Sequence, residues 1–366
     1  MRTLRLLPVI FFLPCSVPAF SAPDGKPAAV PDRAGFQALS TAELGPLLLP
    51  RASSFPVVGQ AGNYSLGLAG GRSVWFLNNV WAGELKDQGE VVLWGVVDGG
   101  LAVLDSTSPY AASGNFRYVT DENRWPLPLF SPDAPEYAGV RKLWPRAGAA
   151  AAGGYFVFYS LMNNFGPGGG DYFRVGQGLA SADTPEGPYK PLKYRGSPVF
   201  WNDLEPAFGS ALWADQDGWL YAYGRYATEP GRYSAALARV RPDRIASKEA
   251  YQYYSLDSAS EPWSGDITDL SPVLENMPEE FSVSYNEHLT AYLALYFDQE
   301  TGEVSARTAP YPWGPWEEPR KILTCGKEEY CLGAKEQTLF ASADGRKIFF
   351  TLEKKNMPYL YEAVLK

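Results

Sequence analysis

The chain has 366 residues, 46% of them hydrophobic and 20% charged, with a formal net charge of −9. The acidic balance excludes nucleic acid and anionic membrane surfaces as partners, because both require a basic footprint. Aromatic residues make up 14% of the chain, with 11 Trp and 23 Tyr, a content that suits either stacking on sugar rings or the building of β cores.

The first residues read MRTLRLLPVIFFLPCSVPAFSAPDG. Arg2 and Arg5, a short apolar run and small residues at Ser21 and Ala22 have the layout of a secretory signal peptide spanning 1–21, with a faint lipoprotein signal at Cys15. No later segment approaches the roughly 20 apolar residues that span a bilayer. A secreted or periplasmic monomer without a membrane span is expected. Residues 22–58, rich in Pro, Ala and Ser, read as a leader that wraps or links, and residues 59–366 as a single domain.

In that domain one pattern recurs: an inner segment, a tight turn, then an aromatic strand. It appears five times, in NYSLGLAGGRSVWFL (63–77), KLWPRAGAAAAGGYFVFYS (142–160), EPAFGSALWADQDGWLYAYG (205–224), EEFSVSYNEHLTAYLALYF (279–297) and KEQTLFASADGRKIFFTL (335–352). Gly70-Gly71, Gly153-Gly154, Asp217-Gly218 and Asp344-Gly345 supply the positive φ that short hairpin turns need; the fourth turn falls near Glu287. Third strands follow at 172–182, 232–240, 303–309 and 358–365. No helical period of useful length intervenes, so the pattern predicts an all-β, five-bladed β-propeller. ADTPEGPY (182–189) and APYPWGPW (309–316) share one spacing of Pro, Gly and an aromatic residue and read as equivalent turns.

With the signal peptide removed, Cys325 and Cys331 are the remaining cysteines. An even pair in an oxidising compartment reads as a local disulfide, with two reduced buried thiols as the alternative. Two cysteines and the distant His288 cannot supply a tetrahedral zinc site, and although carboxylates could hold calcium in a channel, no loop has EF-hand spacing, so no metal is expected; no cofactor motif is present, and GPGGGD (166–171) lacks the Lys-Ser/Thr of a phosphate loop.

The inner strands of a propeller converge on one channel mouth. Aligned on Ser65, Gly148, Gly209, Ser282 and Thr338, they place Asn63, Arg146, Ala207, Glu280 and Glu336 at one level and, by the strand period of two, on one face. Asp203 and Glu205, just upstream of the third inner strand, are expected to reach the same mouth. Buried polar groups are costly unless they bind something or one another. Carboxylates gathered in this way can cleave a glycosidic bond, one protonating the leaving oxygen and another activating water or attacking the anomeric carbon. Glu280 is expected as general acid, with Glu336, Glu205 or Asp203 as its partner. Asn63, Arg146, Trp144, Trp201, Asn163, Asn164 and Asp171 are expected to bind the sugar. Acidic residues that merely solvate a rim, Glu279 above all, are the competing reading. His288 lies in a turn, too far from Glu280 to act with it.

The repeated strand units, EEFSVSYNEHLTAYLALYF and APYPWGPW resemble the bacterial family known as domain of unknown function 4185, over residues 59–366. The resemblance implies a five-bladed propeller similar in architecture to glycoside hydrolase family 43, with endo-D-arabinanases among its characterised members and acidic residues at the channel mouth, Glu280 among them. Such propellers carry aspartates around the first blade. Here GQAGNYS and FLNNVW offer Ala61, Asn63, Asn78 and Asn79 instead, and asparagine cannot serve as a general base. The expectation is therefore a secreted glycosidase acting on an extracellular polysaccharide or oligosaccharide, such as an arabinan or other furanoside. The alternative is a non-catalytic glycan-binding propeller.

Overall fold

The computed structural model describes residues 36–50, 55–87, 89–130, 140–166, 171–256 and 261–366. The signal peptide and the leader residues 22–35 and 51–54 lie outside the described residues, as do residues 167–170 of the Gly-rich loop.

The described strands form five antiparallel sheets. In blade 1, Val57–Ala61 and Tyr64–Gly67 both pair with Ser73–Leu85, which pairs onward with Val91–Leu104, and that strand in turn with Arg117–Tyr118. Blade 2 runs outward from Arg141–Ala151 through Gly154–Asn164 to Tyr172–Ala182. Blade 3 is built on Ala207–Ala214, Leu220–Glu229 and Arg232–Val240, and blade 4 on Phe281–Asn286, Ala291–Asp298, Glu303–Ala309 and Arg320–Thr324. Blade 5 contains Cys331–Glu336, Lys347–Lys354 and Met357–Leu365. Its outermost strand is Ala38–Pro46, antiparallel to Met357–Leu365. The segment read as a leader thus contributes a strand, and the propeller begins earlier than residue 59. Pairing the start of the chain with its end leaves the ring no open seam and covers what would be an exposed sheet edge.

Alternation along these strands buries one face of each sheet against the next. The result is five apolar clusters, each lying between neighbouring blades. Tyr64, Phe76 and Leu101 meet Val157 and Leu161; Phe158, Leu179 and Trp201 meet Phe208 and Ala222. Tyr223 and Leu237 meet Phe281 and Ala294, Leu293 and Val304 meet Ile348 and Phe350, and Phe349 and Leu360 meet Trp75 and Leu77 to close the circle. Two anchor glycines show why small residues stand on the inner strands: a Cβ on Gly148 would lie 2.4 Å from the Phe76 ring, and one on Gly209 2.3 Å from Phe158. Each glycine admits an aromatic from the preceding blade.

The turns at Gly70-Gly71, Gly218 and Gly345 take the expected positive φ, and in blade 2 the turn is Ala152-Gly153, one residue before the expected pair. Three inner strands are interrupted by bulges, between Pro145 and Gly148, Phe208 and Ala211, and Leu332 and Lys335. Bulges re-aim side chains, and here the first contains Arg146 and the third ends on Lys335. Cys325 and Cys331 form the expected disulfide, with a Cα–Cα distance of 6.4 Å. Among the described residues no helix is long and apolar enough to cross a membrane.

Candidate functional site at the channel mouth

Glu280 stands immediately before the inner strand of blade 4, and groups from three other blades converge on it. The Asn78 amide, from blade 1, donates to Glu280 Oε1 at 2.8 Å. Arg146, from the bulge in blade 2, donates through Nη1 to the same oxygen at 3.2 Å, and its Nη2 contacts Glu279. Lys335, from the bulge in blade 5, donates to Glu280 Oε2, and its ammonium lies 4.6 Å over the ring of Tyr64. Ser160 accepts from Arg146 Nε at 3.0 Å and fixes the guanidinium plane. Side-chain exposure is 2% for Arg146 and 3% for Lys335, against 19% for Glu280 and 40% for Glu279. The cations are buried beneath carboxylates that are more exposed than they are.

Burial alone would raise the pKa of Glu280, but Lys335, Arg146 and the hydrogen bonds from Lys335 and Asn78 outweigh it and hold the carboxyl below its ordinary range. This environment favours the charged form of Glu280, whereas a general acid must carry its proton. Glu353, on the second strand of blade 5, has the opposite character. Burial, then the charge of Glu280, lift its pKa to about 7, against Lys335 and hydrogen bonds from Asn63 and Gly62. Those bonds are 2.9 Å from Asn63 Nδ2 and 2.7 Å from the Gly62 N–H, both to Oε1.

The other expected residues divide sharply. Asn63 does not reach a ligand: it is fully buried, donating to Glu353 and accepting from Gln60 at 2.6 Å. Glu336 shares the strand of Lys335 but meets Ser284, whose hydroxyl donates to its Oε2 at 2.5 Å. Thr338, taken as an inner-strand anchor, lies instead in the short 3-10 turn Thr338–Phe340, after the strand has ended at Glu336. The Glu336 N–H donates to the Ser282 hydroxyl at 2.7 Å, so Glu336 meets blade 4 further along the strand than Lys335 does. Burial raises its pKa to about 7 against the Ser284 hydrogen bond.

Glu205 accepts from the Asn202 N–H at 2.7 Å and lies 3.6 Å from Lys248, so its carboxylate closes its own loop. Asp203 is exposed on that loop. Trp201 is not a sugar platform. It is fully buried among Phe158, Phe208 and Tyr251 and donates to the Tyr253 hydroxyl at 3.1 Å. Trp144 is half-buried against Tyr172, with ring centroids 5.5 Å apart, and its indole N–H has no partner among the described residues. Asn163 and Asn164 end the strand Gly154–Asn164, Asn164 accepting from the Gly166 N–H at 2.8 Å. Asp171 opens the return strand, its carbonyl accepting from the Phe165 N–H at 3.0 Å.

Lys335, Glu353, Tyr64 and Asn78 were not among the expected site residues. Lys335 directly precedes the expected Glu336, and Asn78 stands in the FLNNVW stretch where an aspartate was sought. Glu353, in FFTLEKK, carries no local signal, because its neighbours come from blade 1.

The same architecture occurs in solved structures. A Bacteroides ovatus protein described as a candidate hydrolase superposes with a TM-score of 0.64 at 16% identity, covering 85% of this chain and 87% of its own. An exo-β-1,3-galactanase from Phanerochaete chrysosporium, solved with β-1,3-galactotriose, superposes with a TM-score of 0.52 at 13% identity, covering 89% of this chain and 64% of its own. At these identities the likeness is one of fold. No curated protein sequence matches the chain. The family model described as domain of unknown function DUF4185 matches residues 141–365, four of the five blades and every charged group that touches Glu280, and the chain belongs to that family.

Proposed function

We propose that the chain hydrolyses a glycosidic bond at the channel mouth, with Glu280 as the ionised carboxylate and Glu353 as the group that carries the proton. One observation supports this above the others: two buried carboxyl groups are pushed in opposite directions, Glu280 below its ordinary range and Glu353 to about 7, the charge of Glu280 helping to raise the second. Environments that separate two carboxyl pKa values in this way assign base and acid roles. Glu280 activates water or attacks the anomeric carbon. Arg146 and Lys335 hold it charged, and Asn78 fixes its orientation. Glu353 supplies a proton toward the leaving oxygen, and Lys335 lies between the fields of the two groups. Glu336 meets Ser284 rather than the groups gathered around Glu280. The fold shared with a galactanase supports a carbohydrate substrate, and an arabinan or other furanoside is our first choice. The disulfide supports an oxidising location, secreted or periplasmic.

A second reading, glycan binding without cleavage, is favoured by one feature: Glu280 already accepts from Asn78, Arg146 and Lys335. Release of new reducing ends from arabinan, xylan and galactan by the wild-type protein, and its loss in Glu280→Gln, is the expected outcome. Retention of a glycan without release by the wild type would establish the second reading in place of the first.

A further inference from the structure

Beyond the groups that touch Glu280, two more guanidiniums flank the mouth. Arg174, on the third strand of blade 2, donates to three carbonyls of the segment leading into the blade 3 inner strand: Asn202 at 3.1 Å, Asp203 at 2.7 Å and Glu205 at 2.9 Å. Arg225, on the second strand of blade 3, donates through Nε to the Met277 carbonyl at 3.2 Å, two residues before Glu279. It lies 3.3 Å over the Tyr233 ring. Both are tethered to the segments that deliver the inner strands of blades 3 and 4, and Arg225 pairs across the sheet with Ala207, two residues after the Glu205 whose carbonyl Arg174 holds.

Neither has a carboxylate at ion-pair distance among the described residues, whereas Arg146 contacts two. One half-exposed carboxylate, Glu279, thus has Arg146 in contact and Arg225 anchored two residues away at the Met277 carbonyl. Asp203 is exposed on the loop whose carbonyls Arg174 holds. On a chain of net charge −9, this gathering of partly buried cations runs against the overall balance. Holding like charges together out of water is costly unless an anion joins them. A guanidinium fork tethered by carbonyls or stacked on an aromatic face is pre-oriented for a planar oxyanion.

Resting on the glycan reading of the same mouth, we propose that Arg174 and Arg225 form a subsite for an acidic sugar, and that the substrate is a uronate-bearing glycan. The sugar carboxylate lies between the two guanidiniums beside Glu279, while the bond to be cleaved lies over Glu280.

The test measures binding and reducing-end release for galacturonan, alginate and glucuronoxylan, each beside its methyl-esterified form, with neutral arabinan and galactan as references. At least one charged polymer is expected to bind tenfold or more tightly than its ester, with an affinity that falls as salt is raised. Arg225→Gln is expected to weaken that binding by about tenfold to a hundredfold and to leave the esterified form unaffected. Arg225→Lys, which keeps the charge and loses the fork, should recover only part of it. Calorimetric melting of each variant separates misfolding from lost recognition, and the salt dependence of the wild type reads the subsite without any substitution. Equal handling of charged and neutral glycans, or an unchanged Arg225→Gln, overturns the subsite and leaves the hydrolase reading standing. Failure to bind or cleave any glycan overturns both.

Discussion

Glu336→Gln removes a carboxyl group that is buried without a cationic partner. In the folded chain its pKa rises from 4.5 to about 7 because burial disfavours the charged form, and the Ser284 hydrogen bond only partly offsets this. A carboxyl with a raised folded-state pKa contributes stability that is fully present below its unfolded value and lost as pH rises through the folded value. At about 1.4 kcal/mol per unit, the loss between pH 4.5 and pH 8 is about 3 kcal/mol. Glutamine can still accept from Ser284 and does not ionise, so its own packing costs are the same at both pH values. Urea unfolding of wild type and variant at pH 4.5 and pH 8 should give a stability difference that moves by about 3 kcal/mol in favour of the variant at the higher pH. A difference that stays constant within about 0.5 kcal/mol, near the accuracy of such comparisons, would refute the reasoning and place Glu336 in contact with water or a cation.

Other expectations concern the site and the frame. Lys335→Met deletes the largest favourable charge acting on Glu280; its pKa should rise, and the acid limb of the kcat/KM profile for glycan cleavage should move to higher pH. Trp201→Ala empties a core position lined by Phe158, Phe208 and Tyr251 and should cost about 3–5 kcal/mol in chemical denaturation, with any remaining folded protein binding glycan as before. Reduction of Cys325–Cys331, which closes a loop of sequence separation 6, should lower stability by about 2 kcal/mol without changing the pH profile of activity.

The frame of this molecule is written locally. Third strands at 172–182, 232–240 and 303–309 were legible to the residue, because each recurs after the aromatic strand of its repeat unit. The site is written less locally. Glu280 and Arg146 were legible as polar residues at equivalent levels of inner strands. Their companions were not, since Lys335 reaches the mouth through a bulge that shifts the register of blade 5, and Glu353 is brought to Asn63 across the seam between the last blade and the first. Trp201 failed as a sugar platform for a related reason: an aromatic beside a strand start looks the same whether it faces the channel or the next blade. The leader boundary failed because Ala38–Pro46 has its pairing partner more than three hundred residues away, beyond the reach of any local pattern.

The central claim is that the glycan is handled at the mouth around Glu280. A crystal structure of Glu280→Gln with a bound oligosaccharide of whichever glycan the protein retains most tightly tests it most directly. The account predicts a sugar ring against residue 280, with Arg146, Asn78 and Tyr64 around it and a glycosidic oxygen on the side of Glu353. An oligosaccharide seated elsewhere on the propeller, with the mouth left to water, would contradict it.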